Sequence, residues 1–197
     1  MDGDTKIAEV IEASTADFVA QAYTLNEAPA FGSFVVVREG DTEIVGVVSQ
    51  VTTGSIEPGR RPVPRGRNEA TADDVYKHNP ELPELLRTEF TSTIVGFRDG
   101  TAFRNYLPPC PPRIHAFVYP CPPKTVVAFT EALDFIRPLL SAQPGPLTDE
   151  LVAAAIRQAG AARPDDYRFC VAAGKELACL LASDIPRLTG ILRRIGQ

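Results

Sequence analysis

The first 53 residues contain four short apolar runs typical of strands: in the first two the apolar side chains recur with the period of two that a pleated strand requires, and the third is continuously apolar. Turn residues separate these runs. Gly40, between the third run and the fourth, suits a tight hairpin, and Gly46 inside the fourth favours a bend or bulge. The pattern predicts four strands of a small antiparallel barrel, at residues 6–13, 17–23, 34–38 and 43–52.

Strand character returns after an irregular stretch. Residues 89–97 and 101–106 are predicted to be two further strands, joined by the hairpin signal Asp99-Gly100. The stretch at 53–87 holds five prolines and three glycines, and we predict a surface insertion there, with a short helix capped by Thr71. Residues 1–107 are therefore expected to form a six-stranded antiparallel β-barrel that carries this insertion.

The second half of the chain has a different character. Seven prolines within residues 107–123 predict a stiff, extended segment that makes neither helix nor ladder, and we assign residues 108–123 as a linker. Residues 124–197 show helical spacing in four stretches, the first ended or kinked by Pro138 and the last capped by Asp184. The predicted fold class is α+β, with the barrel followed by a small C-terminal α-helical domain.

Composition excludes several classes of protein. The 197 residues are 44% hydrophobic and 23% charged, which is typical of a soluble globular chain. No apolar run approaches the roughly 18 residues of a membrane span, and no N-terminal stretch resembles a signal peptide. We therefore expect a cytoplasmic protein without a membrane partner, in which the four cysteines are reduced thiols.

Charge is unevenly distributed along the chain. Residues 1–53 hold nine acidic and two basic residues, a net charge of −7, whereas residues 54–67 carry a net charge of +3. The positive charge comes from four arginines, which suit an anion-binding or partner-docking loop. The alternative, which we favour, is that these arginines pair with the acidic barrel. The four are Arg60, Arg61, Arg65 and Arg67.

Familiar catalytic motifs are missing from the sequence. It contains no phosphate-binding glycine loop and no nucleophile elbow, so we expect no nucleotide and no other cofactor. Cys110, His115 and Cys121 are the residues from which a zinc site or a hydrolase centre would be built. A fourth ligand is not nearby, and the favoured interpretation is two structural thiols and a histidine in a proline-rich loop. No metal site is therefore predicted.

The N-terminal runs resemble the HAS-barrel, a small barrel shared by HerA-type translocases and ATP synthase ring subunits. The resemblance rests on glycine turns and apolar alternation, and extends loosely to Tyr106. In that family the barrel precedes a RecA-like ATPase core, helps to assemble the ring and docks partners such as a nuclease. The matching stretches here are Ile7-Ala8-Glu9-Val10-Ile11-Glu12-Ala13-Ser14, Phe18-Val19-Ala20, Phe31-Gly32-Ser33-Phe34-Val35-Val36-Val37 and Ile44-Val45-Gly46-Val47-Val48.

The chain departs from that family where the ATPase core would begin. The proline-rich segment and the helical stretches stand there instead, so the resemblance implies assembly and docking without ATP hydrolysis. It transfers no catalytic residue to this sequence.

Three hypotheses follow from the sequence. The first is a non-enzymatic adaptor that self-associates or docks on a ring ATPase or nuclease through the four arginines. The second is a nucleic-acid-binding accessory factor in DNA repair or processing that uses loop 60–67. The third is a hydrolase centred on Cys110, His115 and Cys121.

Overall fold

Seven strands and seven α-helices are formed by the part of the chain that the computed structural model describes, residues 4–57, 59–142 and 146–196. The outermost residues of the two predicted domains, 1–3 and 197, lie outside this description. The strands are β1 (Ala8–Ala13), β2 (Asp17–Ala22), β3 (Phe34–Glu39), β4 (Thr42–Ser55), β5 (Leu86–Asp99), β6 (Ala102–Arg104) and β7 (Phe117–Pro120). The helices are α1 (Ala72–His78), α2 (Leu82–Leu85), α3 (Pro123–Phe129), α4 (Ile136–Ala142), α5 (Pro146–Ala161), α6 (Asp166–Leu180) and α7 (Ile185–Ile195).

Six strands close into an antiparallel barrel, which confirms the predicted fold class. The order around the barrel is β1-β2-β5-β4-β3-β7, and β7 pairs with β1 to complete the circle. Gly46 lies at one of the two register shifts between β4 and β5, so the predicted bulge is confirmed. These irregularities bend long strands around a small barrel.

The identity of the sixth strand differs from the prediction. Residues 101–106 were expected to complete the barrel, but β6 is only three residues long and extends the sheet from β5 outside the ring. The closing strand is β7, from the segment predicted to make no ladder. That prediction was wrong because the prolines leave a gap at residues 113–119, which is long enough to pair with both β1 and β3.

The barrel interior is filled by apolar side chains from all six strands. Val35 and Val37 of β3 point inward, whereas Phe34 and Val36 of the same strand pack against the helices outside. Because both faces of β3 are buried over its first four residues, those residues, from Phe34 to Val37, are all apolar rather than alternating. The interior residues are Ala8, Val10, Phe18, Ala20, Val35, Val37, Ile44, Val48, Phe90, Ile94, Phe97 and Val118.

Helices α3 to α7 cover one outer side of the barrel, and their buried residues form one apolar cluster with Phe34, Val45 and Val95 of the strands. The first helical stretch differs from the prediction, since a 3₁₀ turn at Leu133–Phe135 separates α3 from α4. Pro138 does not end a helix; it lies in the first turn of α4, where its missing N–H group leaves no hydrogen bond unmade. The predicted cap at Asp184 is confirmed, since its side chain accepts from the Arg187 N–H.

Arg163 ties three of these helices together. Its guanidinium donates to the Val127 carbonyl at 3.1 Å and to Thr130 Oγ1 at 2.6 Å, and also to the Ala159 carbonyl. It lies 3.9 Å from the ring centroid of Phe169 in α6. The end of α3 is thereby fixed against α5 and α6 by one planar cation.

The insertion lies at the outer end of a two-stranded ribbon. Strand β2 pairs with β5 as far as Glu89, and the β4–β5 ribbon continues beyond that point with three more pairs, ending at Ser55 and Leu86. Residues 56–85 connect the two strands and contain α1 and α2, and Thr71 caps α1 as predicted by accepting from the Asp74 N–H. The insertion is therefore joined to the barrel by the part of the β4–β5 ribbon that extends beyond its pairing with β2.

Candidate partner-binding surface

The four predicted arginines are all exposed on the insertion, but the fold divides them into two pairs. Arg60 forms an ion pair with Glu57 at 3.0 Å, and Arg65 contacts Glu81 and donates to Asn79 Oδ1 at 2.7 Å. Among the residues that the structure describes, Arg61 and Arg67 have no ion-pair or hydrogen-bond partner. Arg61 and Arg67 are therefore the two guanidinium groups that are immediately available to an outside group.

The favoured sequence interpretation expected the arginines to pair with the acidic barrel, but among the described residues Arg60 and Arg65 pair elsewhere. Their partners are acidic residues of the insertion itself, one three positions before Arg60 and the other sixteen positions after Arg65. Residues 56–85 hold five basic and six acidic residues, a net charge of −1. The local charge of +3 is thus offset once the chain folds, which weakens the case for a continuous cationic surface.

The ion pairs of the insertion are exposed and contribute little to stability. The Arg60 and Glu57 side chains are each more than half exposed, and such surface pairs contribute only about 0–1 kcal/mol. The pKa of Glu81 lies below its ordinary value because of a hydrogen bond with its own backbone and, second, because of the bond from Arg65. A partner with a better-placed carboxylate can compete for Arg60 and Arg65 at small cost.

Asn26, in the loop after β2, fixes the insertion to the barrel. Its backbone N–H donates to Thr88 Oγ1 at 2.8 Å, and its side-chain amide donates to the Tyr76 hydroxyl at 3.4 Å. Asn26 has a φ of 65°, a left-handed conformation that asparagine tolerates better than most residues. Asn26 thus bonds both to β5, through Thr88, and to α1, through Tyr76.

The residues of the hydrolase hypothesis are not assembled into one site. Among the described residues, no group of three or more His, Cys, Asp and Glu side chains is placed to hold a metal ion. Cys121 is largely buried, and burial raises the pKa of its thiol to about 12, which opposes formation of the thiolate that a nucleophile requires. Cys110 is exposed, in a surface hollow that His115 also lines.

His115 instead contacts Glu9, a residue that the sequence analysis did not single out. Its Nδ1 atom lies 2.5 Å from Glu9 Oε1, and the Tyr23 hydroxyl donates to Glu9 Oε2 at 3.1 Å. The backbone N–H of His115 also donates to the Val10 carbonyl at 2.9 Å, and His115 has a φ of 71°. The contacts fasten the start of the closing strand to β1. Their sequence separation, 106 positions, explains why no local pattern reveals them.

This cluster predicts a pH-dependent contribution to stability. The pKa of Glu9 lies below its ordinary value of 4.5, chiefly because of the hydrogen bond with His115. A lowered pKa in the folded state means that the contribution is present above pH 4.5 and is lost as pH falls through the folded-state pKa. We expect Glu9→Gln to destabilise the protein near neutral pH and to have a smaller effect in acid. Urea unfolding of the wild type and of Glu9→Gln, near neutral pH and in acid, measures the loss of stability. An equal loss at both pH values would contradict the prediction.

Two comparisons of the sequence with known proteins gave no match. No protein-family model matches the chain, and no curated protein sequence matches it. Within the described residues, none of the helices combines the length and the apolar character needed to cross a membrane. A functional inference for this chain therefore rests on the geometry of its own residues.

Proposed function

We propose that this chain is a non-catalytic assembly or docking protein that contacts a protein partner through the insertion. The observation that carries the proposal is the position of Arg61 and Arg67, exposed and without a described partner at the outer end of the β4–β5 ribbon. Arginine is well suited to this role, since its planar fork binds carboxylates in two places at once. We expect the contacted surface of the partner to be acidic.

The construction of the barrel supports this proposal. Twelve apolar side chains fill its interior, so the barrel acts as a rigid support rather than as a container for a ligand. A rigid support for a projecting loop is a common arrangement for recognition. The resemblance to the HAS-barrel makes a HerA-type ring ATPase, or a nuclease that acts with it, the first class of partner to test.

The test compares two double variants that remove the same charge from the same loop. Arg61→Ala with Arg67→Ala removes the available arginines, whereas Arg60→Ala with Arg65→Ala removes the paired ones. Binding of each to a purified candidate ATPase or nuclease is measured by isothermal titration calorimetry. We expect the first variant to weaken binding about tenfold or more and the second to weaken it about threefold or less. Equal losses, or no loss in the first variant, would contradict the proposal.

Nucleic-acid binding is the alternative function, and a separate experiment tests it. Labelled single-stranded and duplex DNA are titrated with the wild-type protein at several salt concentrations. Phosphate contacts would make affinity fall by about 0.9 log unit per log unit of salt for each contact on duplex DNA. A steep salt dependence that disappears in the Arg61→Ala, Arg67→Ala variant would replace the docking proposal with a nucleic-acid-binding one.

A further inference from the structure

The outer half of β4 has a neighbouring strand on one side only. On the other side β3 pairs with the first part of β4, and Gly32 and Ser33 extend that pairing as far as Val48 through backbone hydrogen bonds. Among the described residues, no strand pairs with this side of β4 beyond Val48, whereas β5 continues along its opposite side as far as Ser55. Residues 49–55, here named the open edge, are therefore a strand edge without a partner in the described part of the chain.

The register of the ribbon shows which backbone groups point away from β5. The Ile56 N–H donates to the Leu85 carbonyl at 3.0 Å, so these two residues form a hydrogen-bonded pair. Such pairs alternate with non-hydrogen-bonded ones in an antiparallel ladder, and residues 50–55 continue the same register. Every second residue of the open edge therefore directs its N–H and C=O groups outward. These residues are Val51, Thr53 and Ser55.

Neither charge nor proline protects the open edge against pairing. Its sequence, Ser-Gln-Val-Thr-Thr-Gly-Ser, contains no charged residue and no proline, which are common means of blocking an edge strand. Val51, Thr52 and Thr53 are β-branched, and all three are exposed. Because β-branched residues favour the extended conformation, the open edge is suited to accept a further strand.

A hollow of about 680 Å³ lies beside the inner end of the open edge. It is lined on the sheet side by residues 49–51 and on the helix side by Pro138, Leu147 and Leu151 of α4 and α5. Leu147 is 75% exposed, and Phe31, which also lines the hollow, is 36% exposed. A volume of this size accommodates the side chains of a bound segment, since ligand sites are commonly about 300–1,000 Å³.

The hollow offers little to a charged occupant. Asp17 is the one charged side chain among its described lining residues, and its carboxylate already accepts a hydrogen bond from Ser14 Oγ at 2.5 Å. Burying a charge beside such a lining would leave that charge without a partner of opposite sign. The outward backbone groups require an extended chain, and the hollow favours apolar side chains on it.

We propose that the open edge binds an extended, uncharged segment of a protein partner, which adds to the sheet as a strand beside β4. Backbone hydrogen bonds to Val51 and Thr53 provide affinity, and apolar side chains of the segment enter the hollow and provide specificity. The segment lies in line with β3 and antiparallel to β4, because β3 takes the same side of β4 farther along. This binding does not depend on the arginines of the insertion.

A second copy of this chain fits the open edge less well than such a segment. If two open edges paired antiparallel, Ser55 of one copy would lie beside Ser49 of the other. The insertion of the first copy, residues 56–85, would follow directly, at the place where Gly32 and the helices beside the hollow already lie. Parallel pairing in register would bring Gly32 of both copies into the same space. A flexible segment of another protein can turn away at that point.

The test uses a fluorescein-labelled peptide of about seven residues, in which threonine and valine alternate, to match the length of the open edge. The control peptide has the same sequence with N-methyl groups on its backbone amides, so it cannot donate to a strand edge. Fluorescence anisotropy measures binding of each to the full chain. We expect the control to bind at least about tenfold more weakly. Equal affinities, or no saturable binding of the first peptide below about 1 mM, would overturn the proposal.

Two variants at one position locate the peptide on the open edge. Thr53→Pro removes an outward N–H without removing a hydrogen bond to β5, and proline is tolerated at such edge positions. Thr53→Ala keeps the N–H, and both variants lose the 2.8 Å contact between Thr53 Oγ1 and Thr88 Oγ1. We expect Thr53→Pro to weaken binding about tenfold and Thr53→Ala about twofold or less. Circular dichroism verifies folding, and equal effects would overturn the proposal.

A further pair of variants tests the hollow. Leu147→Ser removes an apolar side chain that lines the hollow, whereas Tyr167→Ser removes one that is 78% exposed on α6 and does not line it. We expect the first to weaken peptide binding about fivefold and the second about twofold or less. Equal effects would contradict the position of the peptide beside the hollow.

Sedimentation equilibrium tests the competing occupant of the open edge. We expect the wild type and Thr53→Pro to have the same mass at every protein concentration. A concentration-dependent dimer of the wild type that is lost in Thr53→Pro would assign the open edge to a second copy and overturn the proposal.

Discussion

Replacing Phe129 with alanine is expected to lower the free energy of unfolding by about 3–5 kcal/mol, because the ring is buried where α3 meets the barrel. The ring of Phe129 makes edge-to-face contacts with Phe34 and Phe103, at centroid distances of 6.5 and 5.7 Å. Such pairs contribute about 0.5–1.5 kcal/mol beyond the area that they bury. The loss of the ring therefore removes contacts with β3 and β6 together.

Urea unfolding followed by circular dichroism measures this effect, with Phe31→Ala as the matched control. Phe31 is 36% exposed, so its removal is expected to reduce stability by only about 1 kcal/mol or less. If the two variants unfold at the same urea concentration, α3 does not depend on Phe129 for its attachment to the barrel. The helices and the barrel share one apolar cluster, so they are expected to unfold together. A two-step unfolding curve would contradict this.

Gly32→Ala is expected to have a similarly large effect, for a different reason. Gly32 has a φ of +83°, and a Cβ atom there would lie 2.5 Å from Ala154 Cβ and 2.9 Å from the Ala154 backbone carbon. The left-handed conformation costs about 1–2 kcal/mol and the overpacking about 1–3 kcal/mol, so we expect a loss of about 2–5 kcal/mol. The clash is with helix backbone, which cannot move aside as a flexible side chain would.

The control for this prediction is Gly54→Ala, at a glycine in the ribbon. Gly54 has no neighbouring atom within 4 Å of an added Cβ and needs no left-handed conformation. Its replacement is expected to change the free energy of unfolding by about 0.5 kcal/mol or less. Thermal unfolding of the two variants distinguishes them, and a Gly32→Ala protein as stable as wild type would mean that α5 lies farther from the barrel than the structure shows.

The barrel could be predicted from the sequence because its signal is local. In β2, Phe18 and Ala20 point inward while Asp17 and Val19 do not, and this alternation is visible in the residues themselves. The closing strand could not be predicted in the same way, because its pairing is not local. Val118 pairs with Ala8, 110 positions away, and the surrounding prolines conceal a short run that alternates inward and outward.

The candidate site shows the same limit in electrostatic terms. A segment with four arginines and one glutamate indicates a cationic loop when only neighbouring residues are considered. The fold brings Glu81 to Arg65 and leaves Arg61 and Arg67 available, and that division depends on the path of residues 68–81. Charge counts along the chain do not show that Glu81 lies beside Arg65.

The position of β7 in the chain has a consequence for how the protein is made. The first five barrel strands are complete at residue 99, yet β1 and β3 keep unpaired backbone groups until residues 117–120 are available. During synthesis the nascent chain therefore exposes two open strand edges, which are the surfaces most prone to pairing with other chains. Such distant pairings also make folding slow. The short closing strand thus sets the length of the interval in which the growing chain is most vulnerable to aggregation.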